Sequence, residues 1–343
     1  MSAATGRLGH GALTPLVVAS TVGAALGGFM FGFDTAVVNG AVDALKAELG
    51  VGSALVGVIV ASALLGAAVG AFAAGTIADR FGRRRLMMVA GTLFVTTSVL
   101  CAVAHDGPTL ALWRFLGGVG VGMASVVAPL YIAEIAPARL RGRLATAQQM
   151  SIVLGIFAAL VSNAFLVRAA GGAEAELALG LPAWRWMFLV ADGASVAYVV
   201  AAVLLPESPR YLVMRGDRDG AARTLRRLHR VPEGDALLGV ATIEGTLHEA
   251  RPAWSHLFSG PGRLKPIVWL GIALAALQAL VGIDVIFYYS TSLWAQVGFG
   301  EQQAFWLSAL TSLVNVAATV VAIFLVDRVG RRRLLLVGSV GMT

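Results

Sequence analysis

Polar residues in this chain are gathered into short clusters, and between them lie eight long apolar runs, at about 13–38, 52–78, 86–105, 109–133, 144–168, 184–205, 266–290 and 303–326. A helix rises 1.5 Å per residue, so about 20 apolar residues cross the roughly 30 Å of a bilayer's hydrocarbon, and each run predicts a membrane-spanning helix. The first run exceeds the apolar segment of a signal peptide, carries Asp34 and is followed at once by further spans, so it reads as a retained first helix.

Two of the polar clusters are near copies. The second run ends in Asp79, Arg80, Phe81, Gly82, Arg83, Arg84 and Arg85, and the eighth in Asp327, Arg328, Val329, Gly330, Arg331, Arg332 and Arg333. A basic loop repeated after an apolar run predicts two related membrane halves in series, which points to a transporter. The expected division is a six-helix bundle over 1–205, a cytoplasmic linker with short helices over 206–265, and a second unit over 266–343 holding spans seven, eight and the start of a ninth. In the linker, Ser208 is placed to cap a helix starting at Pro209, because proline there lacks only an N–H that has no intrahelical partner. Arg223, Leu225, Arg226, Leu228 and His229 predict an amphipathic surface helix beyond it.

Composition sharpens the class. With 58% hydrophobic and 13% charged residues and a mean hydropathy of +0.81, the chain is too apolar for a soluble domain of this size. The arginines at 80, 83–85, 139, 141, 143, 328 and 331–333 fall on one side of the predicted spans, as does the linker. Only Lys46, Arg168 and Arg185 fall opposite. Cytoplasmic loops carry the excess of cations, so the amino terminus and linker are expected in the cytoplasm. The pI near 10.3 then reports topology and lipid contact rather than nucleic-acid binding. Cys101 is the only cysteine, which excludes an internal disulfide. No metal-ligand spacing, cofactor motif or nucleophile–base arrangement points to an enzyme, and the usage of alanine, glycine and arginine fits a bacterial cytoplasmic membrane.

Several polar residues lie inside the runs. Asp34 is near the outer end of span one and Arg114 roughly 9 Å into span four, so their depths match. A lone charge near mid-membrane costs at least about 2.5 to 3.5 kcal/mol, and the two are expected to face the interior as a pair: a protonatable carboxylate beside a movable arginine. Gly117, Gly118, Gly120 and Gly122 superficially match a nucleotide fingerprint, but they lie in an apolar span with no preceding strand and read as helix-packing positions. Gln149, Gln278, Asp284 and Asn315, with Tyr288 and Tyr289, suggest the lining of a central polar cavity. Gly282 would let span seven bend there.

Taken together, these pieces resemble the sugar porter family of the major facilitator superfamily over nearly the whole length. They are Gly32-Phe33-Asp34-Thr35, Gly75 with Asp79-Arg80-x-Gly82-Arg83-Arg84, Arg114-x2-Gly117-Gly118, Pro129-x-Tyr131-x2-Glu134-x2-Pro137-x3-Arg141-Gly142, Pro206-Glu207-Ser208-Pro209-Arg210, Gly282-Ile283-x4-Tyr288-Tyr289 and Asp327-Arg328-x-Gly330-Arg331-Arg332. The resemblance implies an all-α membrane protein of the major facilitator fold and alternating access to a monosaccharide or polyol. It implies a monomer, with protons and membrane lipid as the other partners and no cofactor. It assigns Asp34 and Arg114 to proton coupling and Gln149, Gln278 and Asn315 to sugar hydroxyls. Asp79, Arg80, Arg83, Arg84, Glu134, Arg141, Glu207, Arg210, Asp327 and Arg331 fall to a cytoplasmic charge network. Two positions depart from the family pattern: Ala279 replaces a second glutamine, and Asp284 replaces an asparagine. The family has twelve spans and this chain ends at Thr343 as a ninth begins. That leaves a truncated, transport-incompetent membrane protein, or a passive facilitator, as the alternatives to a proton-coupled importer.

Overall fold

The computed structural model describes residues 13–137, 139–249, 258–260 and 263–342. Each of the eight apolar runs is helical. Helix α1 (Pro15–Val37) starts at Thr14, whose hydroxyl accepts from the Val17 N–H, with proline at the first helical position. A single 3-10 turn, Val38–Gly40, and a short helix α2 (Val42–Leu49) follow it. The next spans are α3 (Ser53–Phe81), α4 (Arg83–Ala102), α5 (Gly107–Ile135), α6 (Arg141–Ala170) and α7 (Ala183–Leu204). Beyond the linker helices come α11 (Pro266–Leu280), α12 (Ile283–Gln296), α13 (Glu301–Val329) and α14 (Arg331–Met342). Among the described residues, eight segments are long and apolar enough to cross a membrane, with α11 and α12 together forming the seventh.

Glycine decides how closely these helices approach. A Cβ on Gly66 or Gly70 of α3 would collide with the carbonyl oxygens of Phe115 and Val119 in α5. One on Gly118 or Gly122 would collide with those of Ala63 and Ala67 in α3. The other half of the same run, Gly117 and Gly120, turns toward Thr97 and Ala90 of α4. Spacings of three and four residues thus supply two faces of one helix, and small residues let both neighbours come to backbone contact. Gly32 and Gly155 do the same between α1 and α6.

The repeated basic loops share a backbone as well as a sequence. Gly82 (φ +100°, ψ 157°) links α3 to α4, and Gly330 (φ +87°, ψ 148°) links α13 to α14. The N–H of each closes the preceding helix by donating to Ala78 and Val326, respectively. A side chain is strained at such φ values, which accounts for glycine at both sites.

The seventh span is broken at Gly282 (φ +80°), where α11 stops and α12 starts. None of the residues in α11 is buried, whereas Phe287, Tyr288, Ser290 and Thr291 of α12 are. The linker forms α8 (Pro209–Met214), α9 (Arg218–His229) and α10 (Glu233–Glu249). They enclose a small core of their own from Val213, Ala221, Ala222, Leu225, Ala236 and Val240. Ser208 caps α8 as expected, accepting from the Tyr211 N–H. Two short hairpins, Glu176–Ala178 with Leu181–Pro182 and Phe258–Gly260 with Arg263–Leu264, are additions that the apolar pattern does not announce.

Candidate functional site

The structure brings Asp34 and Arg114 together. The Arg114 Nη1 donates to Asp34 Oδ1 at 2.5 Å between α1 and α5, and both side chains are nearly out of solvent. Breaking such a pair inside a membrane strands a charge. The guanidinium lies 5.7 Å from the centre of the Phe188 ring, and its Nε and Nη2 make no hydrogen bond. A cavity of about 10 Å3 beside the pair, bordered by Thr97, Ser98, Cys101 and Trp113, has room for about one water. Tyr288 of α12 is buried as well and lies within electrostatic reach of Arg114. Asp192 of α7, close to Ser98 and Cys101, is an ionisable neighbour that the pattern of the spans did not single out.

The expected cavity residues are placed less uniformly. Gln149 and Gln278 are exposed, Tyr289 and Asn315 half-buried. Among the described residues, the side chains of these four hydrogen-bond no other protein group, so their donors and acceptors are unspent. The Asp284 backbone lies in the first turn of α12, and its side chain lies outside the described residues. The adjacent Gln148, not Gln149, is the buried amide: it packs against Gly28 of α1 with neither amide atom hydrogen-bonded.

At the linker end, Arg83 is the hub. Its Nη2 donates to Asp79 at 2.9 Å and to Glu134 Oε1 at 3.0 Å, and Nη1 donates to the Ala78 carbonyl. Its Nε lies 3.0 Å from Glu134 Oε2 as an ion-pair contact without hydrogen-bond alignment. Only 3% of the Arg83 side chain and 6% of Glu134 are exposed, which separates this pair from the weak ion pairs of open surfaces. Ser208 donates to Glu134 at 2.5 Å. Glu207 Oε1 accepts from the backbone N–H groups of Arg83 and Arg84, so an acid from the linker closes the amino terminus of α4. Arg84 donates to the Ala202 and Val203 carbonyls. Arg80 stacks over Phe81, and Arg210 is exposed. The side chains of Arg141, Asp327 and Arg331 lie outside the described residues.

The opposite end carries a polar clasp that sequence reasoning missed. Buried Asn39 donates to the Phe287 carbonyl at 2.7 Å and to Ser290 Oγ at 2.6 Å. Its own Oδ1 accepts from the Thr291 N–H at 3.1 Å. Ser290 passes a hydrogen bond to Ser308 of α13. Around it, Ser292 donates to Asp43 and the Ala173 N–H to Glu301. The available signal was an asparagine at the end of an apolar run, with Ser290-Thr291 at the matching depth of span seven. Further out, Arg185 and Trp184 of α7 both donate to Glu48 of α2.

Residues 20–343 match the family described as Sugar (and other) transporter. The chain is 50% identical over 322 residues to the glucose transport protein of Synechocystis sp., covering 93% of this chain and 68% of that protein. It is 35% identical over 327 residues to the arabinose-proton symporter of Bacillus subtilis, covering 95% and 69%. The xylose transporter XylE from E. coli, in a partially occluded inward open conformation, superposes with a TM-score of 0.81 at 30% identity over 93% of this chain and 75% of that one. The proton:xylose symporter XylE bound to 6-bromo-6-deoxy-D-glucose matches with the same TM-score over 94% and 72%. The eight spans, the loop repeated with the same backbone and the shared helical architecture agree with these alignments: the chain is a multi-pass membrane protein that belongs to the sugar porter family of the major facilitator superfamily.

Proposed function

We propose that the chain acts in the proton-coupled import of a monosaccharide or polyol by alternating access. Its amino terminus and linker lie in the cytoplasm of a bacterial cell, and it works as a monomer. A six-helix bundle over 1–205 and the unit over 266–343 rock about the substrate, joined by the linker over 206–265. The observation that carries this reading is the buried Asp34–Arg114 ion pair, which sits where Tyr288 of the second half approaches. While the pair is closed, the carboxylate keeps its counter-charge. When the helices move and separate it, a bare carboxylate in a dry site is expensive, and taking up a proton removes that cost. Names of relatives support the coupling, since an arabinose-proton symporter and a proton:xylose symporter are among them.

In this scheme Gln149, Gln278, Asp284, Tyr288, Tyr289 and Asn315 hold the sugar, and Asp284 adds an acid that grips a hydroxyl pair. The network of Asp79, Arg80, Arg83, Arg84, Glu134, Arg141, Glu207, Arg210, Asp327 and Arg331 latches the cytoplasmic side in the outward-facing state. Because a glucose transport protein is half identical in sequence, glucose is the first sugar to try.

The test is uptake of labelled glucose, xylose and arabinose into proteoliposomes with an imposed proton gradient. The chain is expected to accumulate one of these sugars above equilibrium. Asp34→Asn is expected to lose that accumulation while retaining exchange of internal for external sugar. Proton-driven accumulation that survives unchanged in Asp34→Asn sinks the coupling role, and the absence of any sugar movement sinks the transport reading itself.

A further inference from the structure

The carboxy-terminal half of α9 is strongly and asymmetrically charged. Leu225 and Leu228 are buried, and the intervening Arg223, Arg226, Arg227 and Arg230 are exposed. At the other end of the helix the charge is balanced, because Arg218 donates through Nε and Nη2 to Glu244 at 2.5 Å each. Arg226 reaches Glu233 only at 3.5 Å. Among the described residues, no carboxylate comes within ion-pair distance of Arg223, Arg227 or Arg230. Arg223, Arg226 and Arg227, with Val231, line a cleft of about 400 Å3, and among the described residues no acid stands in its wall. The helix dipole accounts for a cation or two in the last turn. It does not account for Arg223 one turn earlier, or for three guanidinium groups bordering one space.

A second observation fixes where this cleft sits. The Thr14 hydroxyl donates to the Leu228 carbonyl at 2.5 Å, and Thr14 is the capping residue of the first membrane span. The arginine-rich end of α9 is therefore held at the start of α1, where an apolar run long enough to cross a bilayer begins, and headgroups lie at the ends of such runs. A cluster of exposed arginines at that level faces a two-dimensional array of phosphates, and guanidinium groups make charge-assisted hydrogen bonds to phosphate oxygens.

We propose that the cleft between Arg223, Arg226 and Arg227 binds the phosphate of an anionic phospholipid headgroup, tying the linker to the membrane surface. This holds whatever solute the chain carries. It is tested on the full chain in neutral detergent by titrating in dioctanoylphosphatidylglycerol and counting bound lipid by native mass spectrometry. Phosphatidylcholine of the same chain length and inorganic phosphate serve as the comparison probes. Tight retention of phosphatidylglycerol over phosphatidylcholine is expected. At about fivefold per arginine, R223Q/R227Q should weaken it roughly 25-fold. R223K/R227K keeps the charge and should retain most of the binding, and R218Q, at the balanced end, should change it less than about twofold. Equal retention of the two lipids, or equal binding by R223Q/R227Q and the unaltered chain, overturns the proposal. Displacement of the lipid by inorganic phosphate at matched concentration also overturns it, in favour of a soluble phosphate ligand.

Discussion

At the scale of single residues, the chain is governed by polar groups that have left water. His229 illustrates this outside the membrane spans. It is half-buried at the end of α9, its Nδ1 is out of solvent with no partner among the described residues, and burial pushes its pKa below the usual value near 6.5. The folded linker then keeps a neutral imidazole where the unfolded chain takes a proton, so the linker loses stability as pH falls below about 6.5 and is insensitive to His229 above it. Hydrogen exchange of amides in α8–α10, corrected for intrinsic rates, should therefore speed up between about pH 7.5 and 5.5. In His229→Gln that pH dependence should disappear. Ionisable residues in apolar runs were legible in the sequence because a charge there needs a partner, and Asp34 with Arg114 is one such case. Gln148 and Asn39 were not, since an amide at the end of a run reads the same whether it faces solvent, a neighbouring helix or a gate. Which of two adjacent glutamines turns inward is set by the rotation of α6 against Gly28, a property of packing and not of the local pattern.

Among elements, the eight spans were legible because span length is dictated by the bilayer and not by tertiary detail. The closeness of their packing was legible only in part. The glycine run in α5 signalled helix contact, but not that its two faces serve α3 and α4 separately. Gly118→Ala places a methyl against the Ala63 carbonyl and must push α3 and α5 apart, which overpacking predicts will cost about 1 to 3 kcal/mol. Gly57→Ala, in the same pair of helices but with open space around it, should gain up to about 1 kcal/mol from helix propensity. Unfolding titrations in mixed micelles should shift in opposite directions for the two variants. A shared direction would mean that the contact is not as tight as the backbone implies. The break at Gly282 was anticipated from a glycine beside an acid, whereas α2 lay hidden in what the apolar pattern showed as a loop.

For the whole molecule, the tie that matters is the one around Asn39. Around Asn39 the first helix and its 3-10 extension are joined to α12, with Ser290 and Thr291 buried. A clasp that ties α1 to α12 is what any movement of one against the other has to break. Asn39→Ala removes the side-chain bonds of the clasp at roughly 1 kcal/mol each, enough to shift an equilibrium between two states by about fivefold or more. A cysteine placed at buried Ala304, in a Cys101→Ser background, should become correspondingly more reactive to a membrane-impermeant thiol reagent in Asn39→Ala. An unchanged labelling rate would assign the clasp no part in closure. The cap on α4 bears on a different matter, the order in which the molecule is made. Its first turn is closed by Glu207, which follows Arg83 by 124 residues. At a synthesis rate of about 5 to 20 residues per second, the third span waits on the order of ten seconds for that acid to leave the ribosome. Throughout that interval the amino end of α4 must be held by water or lipid headgroups, so the first bundle cannot reach its final form until the start of the linker has been translated.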